Sequence, residues 1–294
     1  MADDKIIDGK YISSLIKDEI RKGAENLLKA KGIVPGIALI LAGDNPASQI
    51  YVSSKDKVCK DLGFHSAIKL LPEDTKEETI LDLIAKFNND KLIHGILVQL
   101  PLPKHINEQK IIEAIDYKKD VDGFHPQNAG RLVAGIKSFI PCTPSGIVEL
   151  IKRSGIETKG KNVVVIGRSN IVGKPVANLF INKSLNSTVT VCNSFTKNIR
   201  EFTQNADIII AAIGKADFLK GDMIKEGVVI IDVGINRIED KSTKKGYRIT
   251  GDADYNDCYE KCSKITPVPG GVGPMTIAML MKNTLDSARA KIYS

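Results

Sequence analysis

The chain is predicted to be an α/β protein with two domains, the second built on a Rossmann-like parallel sheet. Short apolar runs alternate with longer segments of helical period along most of the 294 residues. That alternation predicts parallel strands joined by crossover helices. It pauses at residues 116–141, where Gly, Pro, Asp and Asn concentrate, and resumes at Val163. Because the length suits two ordinary domains, we expect two α/β domains with a cleft between them.

The first half of the chain is predicted to begin with a helix. The residues on its apolar face are Ile12, Leu15, Ile16, Ile20, Ala24, Leu27 and Leu28. The first strand, residues 37–41, lies between the turn signals Pro35-Gly36 and Gly43–Pro46. Further helices are predicted at 46–62, 77–88 and 108–115, and further strands at 67–71 and 95–98.

The second half repeats the pattern. Thr143 can cap a helix, and Pro144 after it suits the first helical turn. Strands are predicted at 163–166, 188–192, 208–211, 228–233 and 265–268, and a closing helix at 275–292. The lysine-rich segment 239–246 is interpreted as a solvated hairpin tip, with a dimer arm as the alternative. The predicted domains are residues 1–142 with 275–294, and residues 143–274.

Composition argues against several classes of protein. The net charge is +7, but the basic residues are scattered and are not interleaved with aromatic ones. This favours a lysine-rich solvated surface, and a field that draws in anionic small molecules is the alternative. No nucleic-acid partner is expected. No apolar stretch approaches 18 residues, and the first residues resemble no targeting segment, so we expect a cytoplasmic protein without membrane association.

The five cysteines are expected to be reduced thiols. Their number is odd, and no C-x-x-C pair or accompanying histidine is present. A zinc site at Cys258 and Cys262 would have only two ligands in view. Asp120 and Asp122 likewise have no evident third ligand. We therefore predict no metal.

The segment Gly167–Pro175 is the strongest functional motif. It follows the β-branched run 162–166 and leads into a helical pattern. A strand, a glycine-bearing turn and a helix N-terminus form a phosphate-binding arrangement, because backbone N–H groups and the helix dipole both face the anion. The motif departs from the dinucleotide pattern G-x-G-x-x-G: Ser169 replaces the second glycine, and Gly173 comes one residue late.

The next strand indicates which dinucleotide binds. Enzymes that use NAD carry an acidic residue there, which holds the ribose 2′-hydroxyl. Here residues 193–196 contain no carboxylate. Ser194 offers a hydroxyl and Arg168 a guanidinium, and both suit a 2′-phosphate. The sequence therefore favours NADP over NAD; the alternative is a plain turn with a surface arginine.

The first half carries a second set of candidates. Tyr51 and Lys55 share one helix face, so the phenol can stack on a flat ring while a desolvated lysine transfers protons. Such a pair is common by chance, and it precedes the glycine turn, which argues against a short-chain dehydrogenase. Gln99 stands at a rigid, proline-rich strand exit, and Asp122 lies in the acidic turn 120–126. Either could bind a heterocycle, or both segments could simply be loop architecture.

The segment 266–276 is rich in both proline and glycine. Such a backbone is rigid and permits close approach, so it suits a clamp against a ligand. A plain linker is the alternative, although flexible linkers contain more Gly and Ser than Pro. His125, which precedes a proline in an extended loop, is interpreted as structural.

Together these motifs resemble bifunctional methylenetetrahydrofolate dehydrogenase/methenyltetrahydrofolate cyclohydrolase. The resemblance is carried along the whole chain by 43–48, Tyr51 with Lys55, 99–103, 120–126, 141–144, 167–175, 232–236 and 267–276. It implies NADP-dependent oxidation of 5,10-methylenetetrahydrofolate to the methenyl cation, followed by hydrolysis to 10-formyltetrahydrofolate. It also implies tetrahydrofolate derivatives as partners, a role in one-carbon metabolism and purine biosynthesis, and a homodimer formed through the nucleotide domain.

The resemblance assigns roles to individual residues. Lys55 is the central catalytic residue, most needed for hydrolysis, and it acts with Tyr51, Gln99 and Asp122. The substrate contacts are Tyr51, Gln99, Leu100, Asp122, Pro269 and Gly270. The NADP contacts are Gly167, Arg168, Ser169, Ser194 and Ile235. Pro269 and Gly270 reach the folate from the other domain, and the last helix packs on the first domain.

One departure from the family pattern concerns the cofactor. The family often has a histidine before Ser194 and a basic residue after it, whereas this chain has Asn193 and Phe195, with Lys197 nearby. A weaker NADP preference is therefore expected. Two other functions stay open: a dehydrogenase with little cyclohydrolase activity, and a non-catalytic NADP-binding or scaffolding protein.

Overall fold

The computed structural model of the chain describes residues 4–243 and 246–293. Parts of the predicted first domain, residues 1–3 and 294, lie outside the described residues, as do residues 244–245 of the lysine-rich segment. The chain groups into two compact units. One comprises Leu15–Cys142 with Ile277–Ser294, and the other Met1–Ser14 with Thr143–Thr276. They are called here the 15–142 unit and the 143–276 unit.

The elements up to residue 142 alternate between helix and strand. In chain order they are α1 Gly9–Lys31, β1 Gly36–Ala42, α2 Pro46–Asp61, β2 His65–Leu71, α3 Glu77–Asn89, β3 Gly95–Val98, α4 Glu108–Ala114 and α5 Pro126–Val133. The three strands form one parallel sheet in the order β2-β1-β3. All seven residues of the central strand β1 are buried, as expected for a strand covered on both faces.

The remaining elements form the second α/β arrangement and the last helix. They are α6 Cys142–Arg153, β4 Asn162–Ile166, α7 Gly173–Ile181, β5 Thr188–Cys192, α8 Ile199–Thr203, β6 Ile208–Ala211, β7 Val229–Asp232, β8 Asn236–Glu239, β9 Tyr247–Thr250, α9 Tyr255–Tyr259, β10 Lys264–Ile265 and α10 Val272–Ala288. A single 3-10 turn at Gly221–Met223 interrupts this series.

The sheet of the 143–276 unit places the ends of several strands together. Its five parallel strands have the order β10-β7-β6-β4-β5. Every residue of β6 and β7 is buried, as is β4 beyond Asn162. Because all the strands run the same way, the chain leaves β4, β6 and β7 at one edge of the sheet, where ligands bind in such folds.

Most predicted elements are confirmed, including the strands at 95–98, 188–192 and 208–211. The strands β8 and β9 pair antiparallel around the lysine-rich segment, so the hairpin interpretation is also confirmed for the described residues. In the opening helix Leu15 and Leu28 are 37% and 49% exposed, and their predicted place on the buried face is wrong. Both lie at the margin of the apolar stripe, where single exposed leucines are common.

Several elements differ from the prediction, among them the closing helix, which spans Val272–Ala288 and not residues 275–292. The region 116–141 contains a helix, α5, which is stabilised at its start by the His125 ring nitrogen accepting a hydrogen bond from the Gln127 N–H. His125 is therefore structural, as predicted. Helix α6 begins at Cys142, so Thr143 lies inside its first turn and is not its cap. The strand predicted at 265–268 shortens to Lys264–Ile265, because a proline-rich turn follows it.

None of the helices in the described parts of the chain is both long and apolar enough to span a bilayer.

Candidate active site

Lys55 is the central polar group of the 15–142 unit. It lies on α2 and is only 7% exposed. Its ammonium Nζ donates a hydrogen bond of 2.8 Å to Oε1 of Gln99. Gln99 directly follows β3, and its own side-chain amide donates to the Leu100 carbonyl at 2.6 Å. The Gln99 side chain is thereby fixed at one end by backbone, and it fixes the lysine at the other.

The charge of Lys55 is disfavoured by its surroundings. Burial lowers the pKa of the ammonium below its usual value, while Asp122, and then Cys142 and Cys59, act in the opposite direction. A lysine that loses its proton more readily than usual is better suited to serve as a general base. The arrangement therefore supports the predicted catalytic role of Lys55.

Asp122 is the carboxylate that faces Lys55. Burial raises its pKa, and the positive charge of Lys55 opposes that rise. The Cys142 thiol also forms a hydrogen bond with the Asp122 side chain. Lys55 therefore interacts with both the Gln99 amide and the Asp122 carboxylate.

Asp120 has a different role from Asp122, although the two are separated by one residue. The buried Asp120 carboxylate accepts hydrogen bonds from the backbone N–H groups of Gly123, Phe124 and His125 at 3.1, 3.2 and 2.8 Å. The Asn128 side chain donates to the same carboxylate at 2.8 Å. Asp120 is thus the turn former that the sequence suggested, and it leaves Asp122 to face the lysine.

The sequence prediction missed Asn283 on α10. Its side-chain amide donates to the carbonyl of Val121 at 2.8 Å and to that of Ile140 at 3.1 Å. These bonds fix the backbone on one side of Asp122 and two residues before Cys142. Nothing in one sequence marks this asparagine, because its role depends on a contact between segments 162 positions apart.

Tyr51 lies one helical turn before Lys55 on α2, as predicted. The ring is 42% exposed, in contrast to the buried lysine. Positions i and i+4 share a helix face, so the exposed ring borders the position of the ammonium. An exposed tyrosine of this kind can stack on a planar group of a ligand.

The glycine turn of the 143–276 unit has no room for side chains at two points. Gly167 has a φ of +130°, and a Cβ built on it would lie 2.1 Å from the Ala212 carbonyl oxygen. A Cβ on Gly173 would lie 2.2 Å from the Gly167 carbonyl oxygen. The turn after β4 therefore packs backbone against backbone, both with the exit of β6 and with the start of α7.

Ser169 explains why this turn departs from the usual glycine pattern. Its hydroxyl oxygen accepts hydrogen bonds from the N–H groups of Val172 and Gly173 at 3.2 and 3.3 Å. Val172 provides no side-chain cap for α7. The serine thus satisfies two N–H groups at the helix start, and Gly173 is required where the helix touches the turn.

The residues predicted to select NADP are exposed near this turn. The Arg168 guanidinium lies 5.9 Å from the centre of the Phe195 ring, within the range of a cation–π contact. Ser194, the residue before Phe195, is also exposed. Asn193, in place of the histidine of the family pattern, accepts a hydrogen bond from the Phe195 N–H at 3.0 Å. The donor set of hydroxyl and guanidinium fits a 2′-phosphate.

The other predicted contacts of the 143–276 unit follow β7 and β10. Ile235 follows β7 and is 55% exposed. Pro269 is exposed, and Gly270 has a φ of +118° that favours glycine. The Gly271 N–H donates to the Pro267 carbonyl at 2.8 Å, which closes the turn. The segment therefore contains an ordered turn.

The sequence offered Cys258 with Cys262, and Asp120 with Asp122, as candidate metal ligands. All five cysteines are free and buried. Across residues 4–243 and 246–293, no group of three or more His, Cys, Asp and Glu side chains is arranged to hold a metal ion.

Comparison with known proteins identifies two family regions. Residues 7–122 match the tetrahydrofolate dehydrogenase/cyclohydrolase catalytic domain, and residues 141–292 match the NAD(P)-binding domain of the same family. The bifunctional protein FolD of Chlorobium phaeobacteroides is 57% identical over 97% of this chain and 98% of its own. That of Campylobacter hominis is 55% identical and covers 98% of each chain.

Solved structures agree with this assignment. The bifunctional FolD of Campylobacter jejuni superposes with a TM-score of 0.92 at 48% identity, covering 97% of this chain and 99% of its own. The FolD of Trypanosoma brucei, solved with NADP and an inhibitor, has a TM-score of 0.93 at 36% identity and covers 98% of each chain. The resemblance and the α/β fold predicted from the sequence are confirmed. The chain belongs to the tetrahydrofolate dehydrogenase/cyclohydrolase family.

Proposed function

We propose that the chain oxidises 5,10-methylenetetrahydrofolate with NADP and hydrolyses the resulting methenyl cation to 10-formyltetrahydrofolate. The observation that carries this proposal is the buried Lys55, which is hydrogen-bonded to Gln99 and faces Asp122. Its family and its FolD relatives, which are bifunctional by name, support the same pair of activities. The chain is an enzyme of one-carbon metabolism.

The two units divide the work in this proposal. The 15–142 unit binds the folate through Tyr51, Gln99, Leu100 and Asp122. The 143–276 unit binds NADP through Gly167, Arg168, Ser169, Ser194 and Ile235. The domain limits predicted from the sequence, 1–142 with 275–294 and 143–274, place the first fourteen residues with the folate unit.

Hydrolysis is the step for which the residues of this chain supply the chemistry. The substrate cation already activates its one-carbon unit, so water attacks that carbon without a metal. The neutral Lys55 amine takes a proton from the attacking water as the new C–O bond forms. The same proton then goes to the ring nitrogen as the C–N bond breaks, and the hydroxyl loses its remaining proton to solvent as the formyl C=O forms. Gln99 holds the lysine in place, and Asp122 binds the pterin edge.

The dehydrogenase step requires NADP as the hydride acceptor, and the chain supplies positioning for it. Gly167 and the N-terminus of α7 receive the phosphates, because close backbone approach and the helix dipole favour an anion there. Arg168 and Ser194 receive the 2′-phosphate. A dehydrogenase with little hydrolysis would not need the Lys55–Gln99 bond, and a non-catalytic scaffold would not need Asp122.

A spectrophotometric assay separates these functions. Wild-type protein is given the methylene substrate with NADP, and separately the methenyl substrate without nucleotide. We expect methenyl formation in the first assay and accelerated loss of methenyl absorbance in the second. Oxidation without hydrolysis would leave the dehydrogenase-only function, and neither reaction would leave the scaffold.

The rate of hydrolysis is expected to rise with pH. The neutral form of Lys55 is the base, and burial lowers its pKa, so the active fraction grows at a lower pH than for an ordinary lysine. Asp122→Asn removes the charge that most opposes this effect, so the midpoint of the pH–rate profile should move to lower pH, whatever the maximal rate. The profile is measured on the methenyl substrate after subtraction of spontaneous hydrolysis. A midpoint that stays in place or moves upward would contradict the coupling.

Arg168 is expected to determine the choice of nucleotide. Arg168→Gln should weaken NADP binding about 10- to 150-fold, because charge-assisted bonds to a phosphate contribute about 1.5–3 kcal/mol, and should change NAD binding little. Initial rates at equal concentrations of NADP and NAD measure the effect. Arg200→Gln is the matched control, since Arg200 is exposed and pairs with Asp222. Equal losses with both nucleotides would rule out a 2′-phosphate contact, and a wild-type preference for NAD would overturn the assignment of NADP.

The assembly and location of the enzyme are further proposals from the family resemblance. We propose a homodimer through the 143–276 unit, in the cytoplasm, without a nucleic-acid partner. The β8–β9 hairpin is the candidate dimer arm. Sedimentation of the wild-type chain and of a variant with a shortened hairpin tests this: a dimer in both would exclude the hairpin as the arm.

A further inference from the structure

Two buried carboxylates lie beside the strand ends that carry the nucleotide site. Asp252 is 0% exposed and Asp232 is 3% exposed. Asp232 ends β7, and Asp252 follows the hairpin strand β9. In the described parts of the chain neither forms an ion pair within 4.0 Å. A buried carboxylate without a cation partner needs several hydrogen-bond donors. The donors to each aspartate therefore identify the segments of the chain that it holds in place.

Asp252 accepts hydrogen bonds from the loop after β6. One carboxylate oxygen accepts from the N–H groups of Ile213 and Gly214 at 2.7 and 2.9 Å. The other accepts from Lys215 N–H at 3.0 Å. Three consecutive N–H groups converging on one anion fix the backbone of that loop.

The same carboxylate also holds the chain that leaves β7. The Asn236 side-chain amide donates to Asp252 at 2.9 Å, and to the Gly251 carbonyl at 3.1 Å. Asn236 directly follows Ile235, a proposed NADP contact. Asp252 therefore links the loop 213–215 to the residue next to Ile235.

Asp232 fixes Asp252 in turn. Its carboxylate accepts from the N–H groups of Gly234 and Asp252, both at 2.9 Å, and from Ala253 N–H at 2.8 Å. A Cβ on Gly234 would lie 2.2 Å from an Asp252 carboxylate oxygen, and one on Gly251 would lie 1.9 Å from an Asp232 oxygen. The two aspartate side chains thus occupy the space that a side chain at Gly234 or Gly251 would need.

This network is continuous with the glycine turn. Gly167 packs against the Ala212 carbonyl, as described above, and Ala212 directly precedes the loop that Asp252 holds. Packing thus joins the turn after β4 to the loop after β6, and Asp252 joins that loop to the exit of β7. A dinucleotide in a fold of this kind lies across these strand ends.

We infer that Asp252 is a positioning residue for the half of NADP that is distant from the 2′-phosphate. Ser194 and Arg168 lie at β5 and β4, on one side of the sheet order, and β6 and β7 lie on the other. The adenosine half therefore lies over β4 and β5, and the nicotinamide half extends over the loops that Asp252 fixes. This inference rests on the proposed function.

Asp252→Asn tests the inference, because it keeps the shape but turns one acceptor oxygen into a donor that faces other donors. The dissociation constant of NADPH, measured by the fluorescence of the bound nucleotide, is expected to rise at least tenfold. Adenosine 2′,5′-bisphosphate, which has only the adenosine half, should bind within threefold of wild type in calorimetry. Hydrolysis of the methenyl substrate without nucleotide should stay within twofold.

Two further variants keep the test decisive. Asn236→Ala removes one donor to Asp252 and leaves the loop 213–215 bound to it. This variant therefore tests the link between Asp252 and the residue next to Ile235 if Asp252→Asn does not fold. NADPH should bind to it at least threefold more weakly than to wild type. Asp222→Asn is the control, since Asp222 is exposed and forms an ion pair with surface Arg200.

Unchanged NADPH binding in a folded Asp252→Asn variant, or in Asn236→Ala if the first does not fold, would overturn the inference. An equal loss of NADPH and adenosine 2′,5′-bisphosphate would also overturn it, because the effect would then be general. Failure of the wild-type chain to bind NADPH would overturn the proposed function and this inference together.

Discussion

Lys55→Met is expected to abolish methenyl hydrolysis while the protein stays folded. The variant removes the amine that takes the proton from water, and a positioned general base contributes about 10²- to 10⁴-fold in rate. Methionine matches the length of the lysine stem and needs no desolvation of a charge, so the buried site should accept it. Loss of the methenyl absorbance, measured without nucleotide, reports the hydrolytic rate, and thermal unfolding reports the fold.

The control for this variant lies on the same helix. Lys57 is exposed on α2, so Lys57→Met removes one positive charge from that segment without touching Gln99 or Asp122, and its hydrolytic rate should match wild type. The role of Lys55 would be excluded if Lys55→Met hydrolysed the methenyl substrate at the wild-type rate. It would also be excluded if Lys57→Met lost as much, because net charge would then explain the effect.

The sequence predicted the fold well because the central strands of both parallel sheets are buried. The apolar run 37–41 and the run 163–166 have no polar face, which is typical of covered parallel strands. Helix α5 was missed because its start depends on a histidine acting as cap, which is not among the usual capping residues. Leu15 and Leu28 were misplaced because the helical period of the apolar residues predicts which stripe of the helix is buried but not how wide that stripe is.

The candidate site was predictable only where one segment carries the chemistry. Tyr51 and Lys55 share one helix, and the turn 167–175 is continuous, so their spacing could be interpreted directly. Gln99 and Asp122 lie near Lys55 because the strands of a parallel sheet end at one edge, where the loops that follow them come together. The link of Asn283 to Val121 and that of Asp252 to the loop 213–215 join distant segments. Spacing in a single sequence cannot indicate such contacts.

Gly167→Ala is expected to remove most NADP binding and to spare hydrolysis. At a φ of +130° any side chain is strained, and the added Cβ would lie 2.1 Å from the Ala212 carbonyl oxygen, which is backbone and cannot rotate away. The turn must therefore move away from β6. Restoring the binding geometry would cost about 1–3 kcal/mol, a factor of roughly 5 to 150 in affinity. Fluorescence titration with NADPH measures this loss.

Gly155→Ala separates the close contact from the general cost of alanine at a positive φ. Gly155 lies in the same unit with a φ of +65°, and nothing lies within 4 Å of its added Cβ. That variant should lose about 1 kcal/mol of stability and bind NADPH like wild type. If both variants bound NADPH equally well, the contact between the turn and the exit of β6 would not shape the nucleotide site. If Gly167→Ala instead lost hydrolysis in proportion to NADPH binding, the two activities would not be separable through this turn. Selective loss of the nucleotide would show that the unusual glycine turn serves the dehydrogenase step alone.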